Sequence, residues 1–192
     1  MTIGILGIQG SREEHAEILK KLKIDYSYMR TPQELEKVKG LIIPGGESTS
    51  IGMLMKRNKL ASALKQRIHQ GMPVYGTCAG AILMAKKFSG EEKADTLAVM
   101  DIEIIRNAYG GQLDSFVSEI EIPVLGKTPF EAVFIRAPKI IATSKNVEIL
   151  AECEGSTVMA KEGNLLVSTF HPELTDDSRV HKYFLKMVYE SE

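Results

Sequence analysis

The sequence predicts an α/β fold: a single-domain three-layer sandwich with a mostly parallel central sheet, helices on both faces and an antiparallel extension. Three observations carry this expectation. Through the first half, short apolar β-rich runs alternate with helix-patterned stretches, the order a parallel sheet needs because each return to the same edge requires a crossover. In the second half, short strands follow one another through tight turns with no long helix between them. No repeat, low-complexity tract or linker interrupts the 192 residues, so residues 1–192 are expected to form one domain.

The first strand is read in "TIGILGI" (2–8), an unbroken apolar run suited to a strand covered on both faces. "SREEHAEILKKL" (11–22) follows as a helix. Ser11 is its expected N-cap, Glu14 completes a capping box, and His15, Ile18, Leu19 and Leu22 share one face. "IDYSYM" (24–29) is the second strand, and "TPQELEKV" (31–38) a short helix with Thr31 as cap, Pro32 at its first position and Glu34 closing the box. "GLIIPGG" (40–46) is a third strand ending in a glycine turn. A helical region runs from there to about residue 70, then "MPVYGT" (72–77) gives the fourth strand and "CAGAILMAKKF" (78–88) a helix.

Beyond residue 96, strands are expected in "LAVMDIEII", "FVSEIEIPV", "EAVFIRA", "KIIATS" and "EILAECE". "STVMAKEGNLLVSTF" is read as a hairpin turning at residues 162–164, with a return toward the main sheet. "DSRVHKYFLKMVYE" closes the chain as a helix with Val180, Phe184, Met187 and Val188 on its apolar face.

Composition narrows the function classes. A formal net charge of −1 and the absence of a basic run argue against nucleic acid as a partner. No apolar stretch reaches the length of a membrane span, and the start lacks the basic residues of a secretory signal, so a cytoplasmic protein is expected. Two cysteines in unlike contexts do not make a disulfide framework, and no His/Cys group has metal-ligand spacing, so no metal is expected.

The chemistry concentrates in three stretches. Gly76-Thr77-Cys78-Ala79-Gly80 fits G-x-C-x-G, the thiol counterpart of the G-x-S-x-G nucleophile elbow. An abrupt strand-to-helix turn holds the middle residue in a strained conformation, and the flanking glycines remove side chains that would collide. The sulfur then stands at the carboxyl edge of the sheet and at a helix N-terminus, whose partial positive charge favours a thiolate. A free cysteine is more often a small buried hydrophobe; the elbow context weighs toward function. Cys153, between acidic neighbours, is read as structural.

"FHPE" places His171 two residues before Glu173. In extended backbone such residues point the same way, and Pro172 biases its predecessor toward extension. Glu173 is therefore expected to accept from one imidazole nitrogen and leave the other for a thiol, the arrangement an activated cysteine requires. A lone H-x-E carries little weight; with an elbow cysteine it carries much more. His15 is expected to be a core residue, and His69 and His181 structural or exposed. "IIPGGEST" (42–49) lacks the G-K-[ST] ending of a phosphate loop. Its glycines are expected instead to aim backbone N–H groups at an oxyanion, with the Gly46 and Ala79 N–H groups as the two donors.

Together these three motifs resemble the class I glutamine amidotransferase family. "GILGIQG", "RNAYG" (106–110), "VFIRAP" (133–138) and "FHPELTDDSRVHKYF" narrow the resemblance to the glutaminase subunits of pyridoxal 5′-phosphate synthases, and it spans essentially the whole chain in order. The resemblance implies a triad of Cys78, His171 and Glu173. It also implies L-glutamine contacts at Gly46, Glu47, Ser48, Arg106, Ile135 and Arg136, no cofactor, and a synthase (lyase) subunit as partner in a large heteromeric assembly. Gln9, expected at the carboxyl end of the first strand, is the candidate for relaying partner docking to the site. Two positions depart from the pattern: Ser11 stands where members often have Asp, and Gly111 where they often have Arg. The alternatives are a glutaminase of another amidotransferase pathway, an idle partner-binding subunit with a relic triad, or a γ-glutamyl peptide hydrolase using the same three side chains.

Overall fold

The computed structural model describes residues 1–89, 95–106 and 115–191. Its first half runs β1 (Thr2–Leu6), α1 (Arg12–Lys21), β2 (Asp25–Met29), α2 (Pro32–Leu35), β3 (Gly40–Ile43), α3 (Ser48–Arg57), α4 (Leu60–His69), β4 (Val74–Thr77) and α5 (Ala79–Met84). The second half is nearly all strand: β5 (Ala85–Ser89), β6 (Met100–Ile105), β7 (Ser115–Ile120), β8 (Phe130–Ile135), β9 (Lys139–Thr143), β10 (Glu148–Cys153), β11 (Ser156–Glu162) and β12 (Leu165–Ser168). Helix α6 (Arg179–Glu190) follows, and single 3₁₀ turns lie at Pro123–Leu125 and Pro172–Leu174.

The main sheet has the order β2-β1-β3-β4-β12-β11-β9-β6-β5, with β10 paired to β11. Strands β2, β1, β3, β4 and β12 are mutually parallel; β11 and β9 run antiparallel beside them, and β6 with β5 closes the far edge as a parallel pair. The expected α/β architecture with an antiparallel extension is the one found. Both faces of the parallel half are apolar, as such a sheet demands. Alternate residues serve opposite cores: Leu41, Ile43, Val74, Leu165 and Val167 pack with α3, α4 and α5, whereas Ile3, Ile5, Ile42, Tyr75 and Leu166 pack with α1 and α6.

Four local features go beyond or against the expectations. First, the run 78–88 is not one helix: α5 ends at Met84 and the chain turns directly into β5, which pairs parallel with β6. The backbone groups of Lys87 to Ser89 find partners on β6, and this outweighs the helix preference of their side chains. Second, the Ser11–Glu14 capping box does not form, because the Ser11 side chain makes no cap hydrogen bond; the Thr31–Glu34 box does. Third, the antiparallel pair β7–β8 stands apart from the main sheet and adds Phe130 and Phe134 to the core on the α1/α6 side. Fourth, β1 ends at Leu6, so Gln9 lies in the loop beyond it rather than at the strand end.

The carboxyl ends of β1, β3, β4 and β12 lie side by side in the sheet, and the functional stretches leave from them. Register pairing of Ser168 with Thr77 brings the chain after β12 next to the chain after β4, although the two lie far apart in sequence.

Candidate active site

Cys78 occupies the turn between β4 and α5 with φ 48° and ψ −103°, a conformation disfavoured for a residue with a Cβ. It is held there by hydrogen bonds at both backbone ends: its N–H donates to the Ser168 carbonyl at 2.8 Å, and its carbonyl accepts from Ile82 at 3.3 Å. The glycines on either side are sterically required. A Cβ on Gly80 would lie 2.1 Å from the Ile43 carbonyl oxygen, and one on Gly76 would lie 2.6 Å from the backbone of Gly80. Ala79 begins α5, where an N–H has no intrahelical acceptor.

His171 follows β12 and is fixed by its neighbours. Its N–H donates to the Val133 carbonyl of β8 at 2.8 Å, and the preceding Phe170 is fully buried against Phe130 and Phe134. Its Nδ1 lies 2.7 Å from Oε1 of buried Glu173, and the ring shares the cavity wall with the Cys78 side chain, whose interaction with it favours the charged imidazole. Burial works against a charge on this imidazole, but the bonds to Cys78 and Glu173 prevail and raise its pKa to about 10. Burial likewise opposes ionisation of Glu173; its polar partners His15, His171 and Ser11 outweigh that and lower it to about 2. The imidazole is thus protonated at neutral pH beside an ionised carboxylate.

The glycine turn after β3 closes over this pair. A Cβ on Gly45 would stand 2.4 Å from Cε1 of His171, so the imidazole lies directly on the glycine. The Gly45 N–H donates to Thr77 Oγ1 at 3.0 Å and its carbonyl accepts from Ser11 at 3.1 Å. Beyond the turn, Glu47 caps α3 by accepting from Thr49 and Ser50 at 2.9 and 2.7 Å. Partial burial would raise its pKa, yet the hydrogen bonds from Ser50 and Thr49 bring it down to about 2. Arg106, at the end of β6, reaches across to Glu47, Ser48 and Thr49 and stacks over Phe88.

A cavity of about 370 Å³ opens here, lined by Gly46, Glu47, Ser48, Cys78, Ala79, Arg106, Ile135, Arg136 and His171 among others. The sequence reading had singled out each of these nine residues. Glu173 lies behind His171 rather than on the wall, and exposed Gln9 sits just before Gly10 and Ser11, which do line the cavity. Of "RNAYG", residues 107–110 lie outside the described residues, as does Gly111. No group of three or more metal-ligating side chains occurs among the described residues.

Sequence reasoning missed what backs the triad. Ser11, read as a helix cap, donates its hydroxyl to Glu173 Oε1 at 2.6 Å. Thr77, His15 and His181 form a buried polar cluster beneath the site. Ile82 and Leu174 add apolar wall. A polar residue on an apolar helix face was the available signal for His15; Ser11 gave none, because a cap and a carboxylate partner look identical in sequence.

Comparison with known proteins decides the family. The description "SNO glutamine amidotransferase family" matches residues 5–190.

The chain belongs to the SNO glutamine amidotransferase family.

Among family relatives, the pyridoxal 5′-phosphate synthase subunit PdxT of Thermotoga petrophila is 52% identical over 188 residues, covering 98% of this chain and 100% of its own. The subunit of the same name from Dictyoglomus turgidum is 47% identical over 190 residues, covering 99% of this chain and all of its own. A crystal structure of a glutamine amidotransferase superposes with a TM-score of 0.93 at 41% identity, covering 97% of this chain and 98% of that one. PurLQS from Thermotoga maritima shares the fold at 15% identity, with a TM-score of 0.64 over 99% of this chain and 95% of the other.

Proposed function

We propose that this amidotransferase chain is the glutaminase subunit of a pyridoxal 5′-phosphate synthase, hydrolysing L-glutamine to L-glutamate and ammonia within a domain formed by residues 1–192. The observation that carries the chemistry is that Cys78 and His171 share the cavity wall, with Glu173 hydrogen-bonded to the imidazole from behind. The synthase assignment is supported by the near full-length identity to subunits of that name.

In this reading the Cys78 sulfur, its proton resting on His171, attacks the side-chain amide carbon of glutamine. Negative charge develops on the amide oxygen, and the N–H groups of Gly46 and Ala79 receive it; losing one such donor typically costs about 10²–10³-fold in rate. The protonated His171, oriented by Glu173, delivers its proton to the departing nitrogen, and the carbon–nitrogen bond breaks to give ammonia and a γ-glutamyl thioester. His171, now neutral, takes a proton from water, whose oxygen attacks the thioester. The carbon–sulfur bond breaks, glutamate leaves, and sulfur and imidazole regain their starting protonation states. The guanidinium of Arg136 suits the α-carboxylate of the substrate, and Arg106 orders Glu47 and Ser48 at the substrate end of the cavity. Glu47, Ser48 and Ile135 complete the substrate contacts. The reaction calls on no metal or organic cofactor.

Ammonia released into neutral water becomes ammonium and loses its nucleophilicity, so a lyase subunit docked in a large heteromeric assembly is the fitting recipient. Two free cysteines suit a reducing cytoplasmic setting. No helix among the described residues is long and apolar enough to cross a membrane.

The decisive experiment measures glutamate release from glutamine by the native chain and by Cys78→Ala, each with and without a pyridoxal 5′-phosphate synthase lyase subunit. Release by the native chain, abolished in Cys78→Ala, is expected. No release with the subunit present would sink the reading.

A further inference from the structure

Beneath the triad lies a group of polar side chains that the mechanism above does not use. His15, from α1, is wholly buried and touches three elements. Its Nδ1 is 2.9 Å from Nε2 of His181 on α6, itself wholly buried. Its Nε2 is 3.2 Å from Thr77 Oγ1, at the end of β4, and 3.6 Å from Glu173 Oε1. That Thr77 hydroxyl accepts the Gly45 N–H, and that carboxylate oxygen holds His171.

We propose that His15 is a positioning residue for the reaction, a single imidazole that ties the carboxylate behind His171 to the hydroxyl that pins the glycine turn. The proposal rests on the glutaminase reading and deepens it. Proton bookkeeping gives the arrangement a direction. An ionised carboxylate only accepts, so the ring nitrogen facing Glu173 and Thr77 carries the hydrogen: His15 is the Nε2–H tautomer. Its Nδ1 is then an acceptor, and His181 supplies the donor from Nε2. The charged and titratable groups facing His15 are Glu173 and His171 across the site, His181 from α6 and Glu14 on its own helix, with the edge of the Tyr75 ring alongside. Burial lowers the pKa of His15, chiefly by desolvation, and that of His181 to about 3; His15 hydrogen-bonds Thr77 and His181 and meets Glu173 at a longer 3.6 Å. Without His15, Glu173 retains Ser11 and His171, and Ser11 still joins it to the Gly45 carbonyl, but Thr77 loses its link to the carboxylate.

The test uses the full chain with its synthase subunit and glutamine as substrate. His15→Leu removes the ring nitrogens at similar volume, and His15→Gln restores a side-chain N–H. His15→Leu is expected to lower kcat for glutamate release about 10-fold with KM nearly unchanged, the signature of an interaction that serves the transition state. His15→Gln is expected to recover most of that loss. In nitrogen-15 spectra of the native chain, His15 is expected to show a protonated Nε2 and a bare Nδ1, and the His171 ring resonances are expected to shift in His15→Leu as Glu173 loses a neighbour. A folded His15→Leu with unchanged kcat and unchanged His171 ring resonances would overturn the proposal, as would a loss that His15→Gln does not relieve. Should His15→Leu fail to fold, Thr77→Val deletes the hydroxyl alone; an unchanged kcat there overturns the proposal equally. If the native chain releases no glutamate, the glutaminase reading fails, and the His171 ring resonances of His15→Leu against the native chain still decide whether His15 positions the triad.

Discussion

His171 and Glu173 are two residues apart, and the sequence sufficed to pair them; what each does to the other's proton required the burial that only the fold supplies. The pair makes stability depend on pH from both sides. His171, raised to about 10 from an ordinary 6.5, stabilises the fold fully below pH 6.5, and this contribution is lost as pH rises through about 10. Glu173, lowered to about 2 from 4.5, contributes fully above pH 4.5 and loses its share as pH falls through about 2. Both contributions are complete between about pH 4.5 and 6.5. Melting temperatures measured across pH are expected to fall on either side of that window in the native chain. In Glu173→Gln the acid limb is expected to flatten, since no carboxylate is left to protonate, and the alkaline limb to shrink, since His171 has lost its anion. A native profile with no decline on the alkaline side would contradict the assignment. Ser11 shows where residue-level reading stops. Its hydroxyl serves Glu173 rather than the helix it precedes, because a carboxylate from a distant part of the chain competes successfully for it.

At the scale of elements, the elbow was legible because its requirement is local. A strand that turns into a helix within one residue brings the helix backbone onto the neighbouring strand, and only glycine permits this at residue 80. Gly80→Ala is expected to destabilise the chain by about 1–3 kcal/mol, the usual cost of overpacking, because the colliding atom is the backbone carbonyl of Ile43, which cannot swing aside. Denaturant unfolding checks this. Activity is expected to fall further than stability alone explains, since relief comes from shifting α5 and with it Cys78. The length of α5 was not legible. The sequence of residues 85–88 gives no strand signal by itself; β5 forms because β6 offers a paired edge, and that edge depends on β9 and β11 having turned antiparallel beside β12.

At the scale of the whole molecule, the loops after β1, β3, β4 and β12 converge on one rim of the sheet, where open α/β sheets bind ligands. The loop after β1 is the most exposed of them and carries Gln9. It is also joined directly to the glycine turn: a Cβ on Gly10 would lie 1.7 Å from the Gly45 carbonyl oxygen, and Ser11 donates to that same oxygen. A force applied to Gln9 by a docked subunit therefore reaches Gly45 and Gly46 through backbone alone. Gln9→Ala is expected to reduce synthase-stimulated glutamate release several-fold while leaving the unstimulated rate nearly unchanged. Equal stimulation of Gln9→Ala and native chain would remove Gln9 from that role.

The sequence by itself determined the fold class, through apolar runs too uniform for a sheet exposed on one face. It also singled out the candidate reacting groups, since an elbow cysteine and an H-x-E are each written in a few adjacent residues. Only the tertiary structure decided that these groups meet, that Ser11, Thr77 and His15 stand behind them, and that Arg106 reaches across to Glu47, Ser48 and Thr49. The reason is that such contacts join chain segments as far apart as α1 and α6, and no local pattern encodes a partner that the chain must fold to reach.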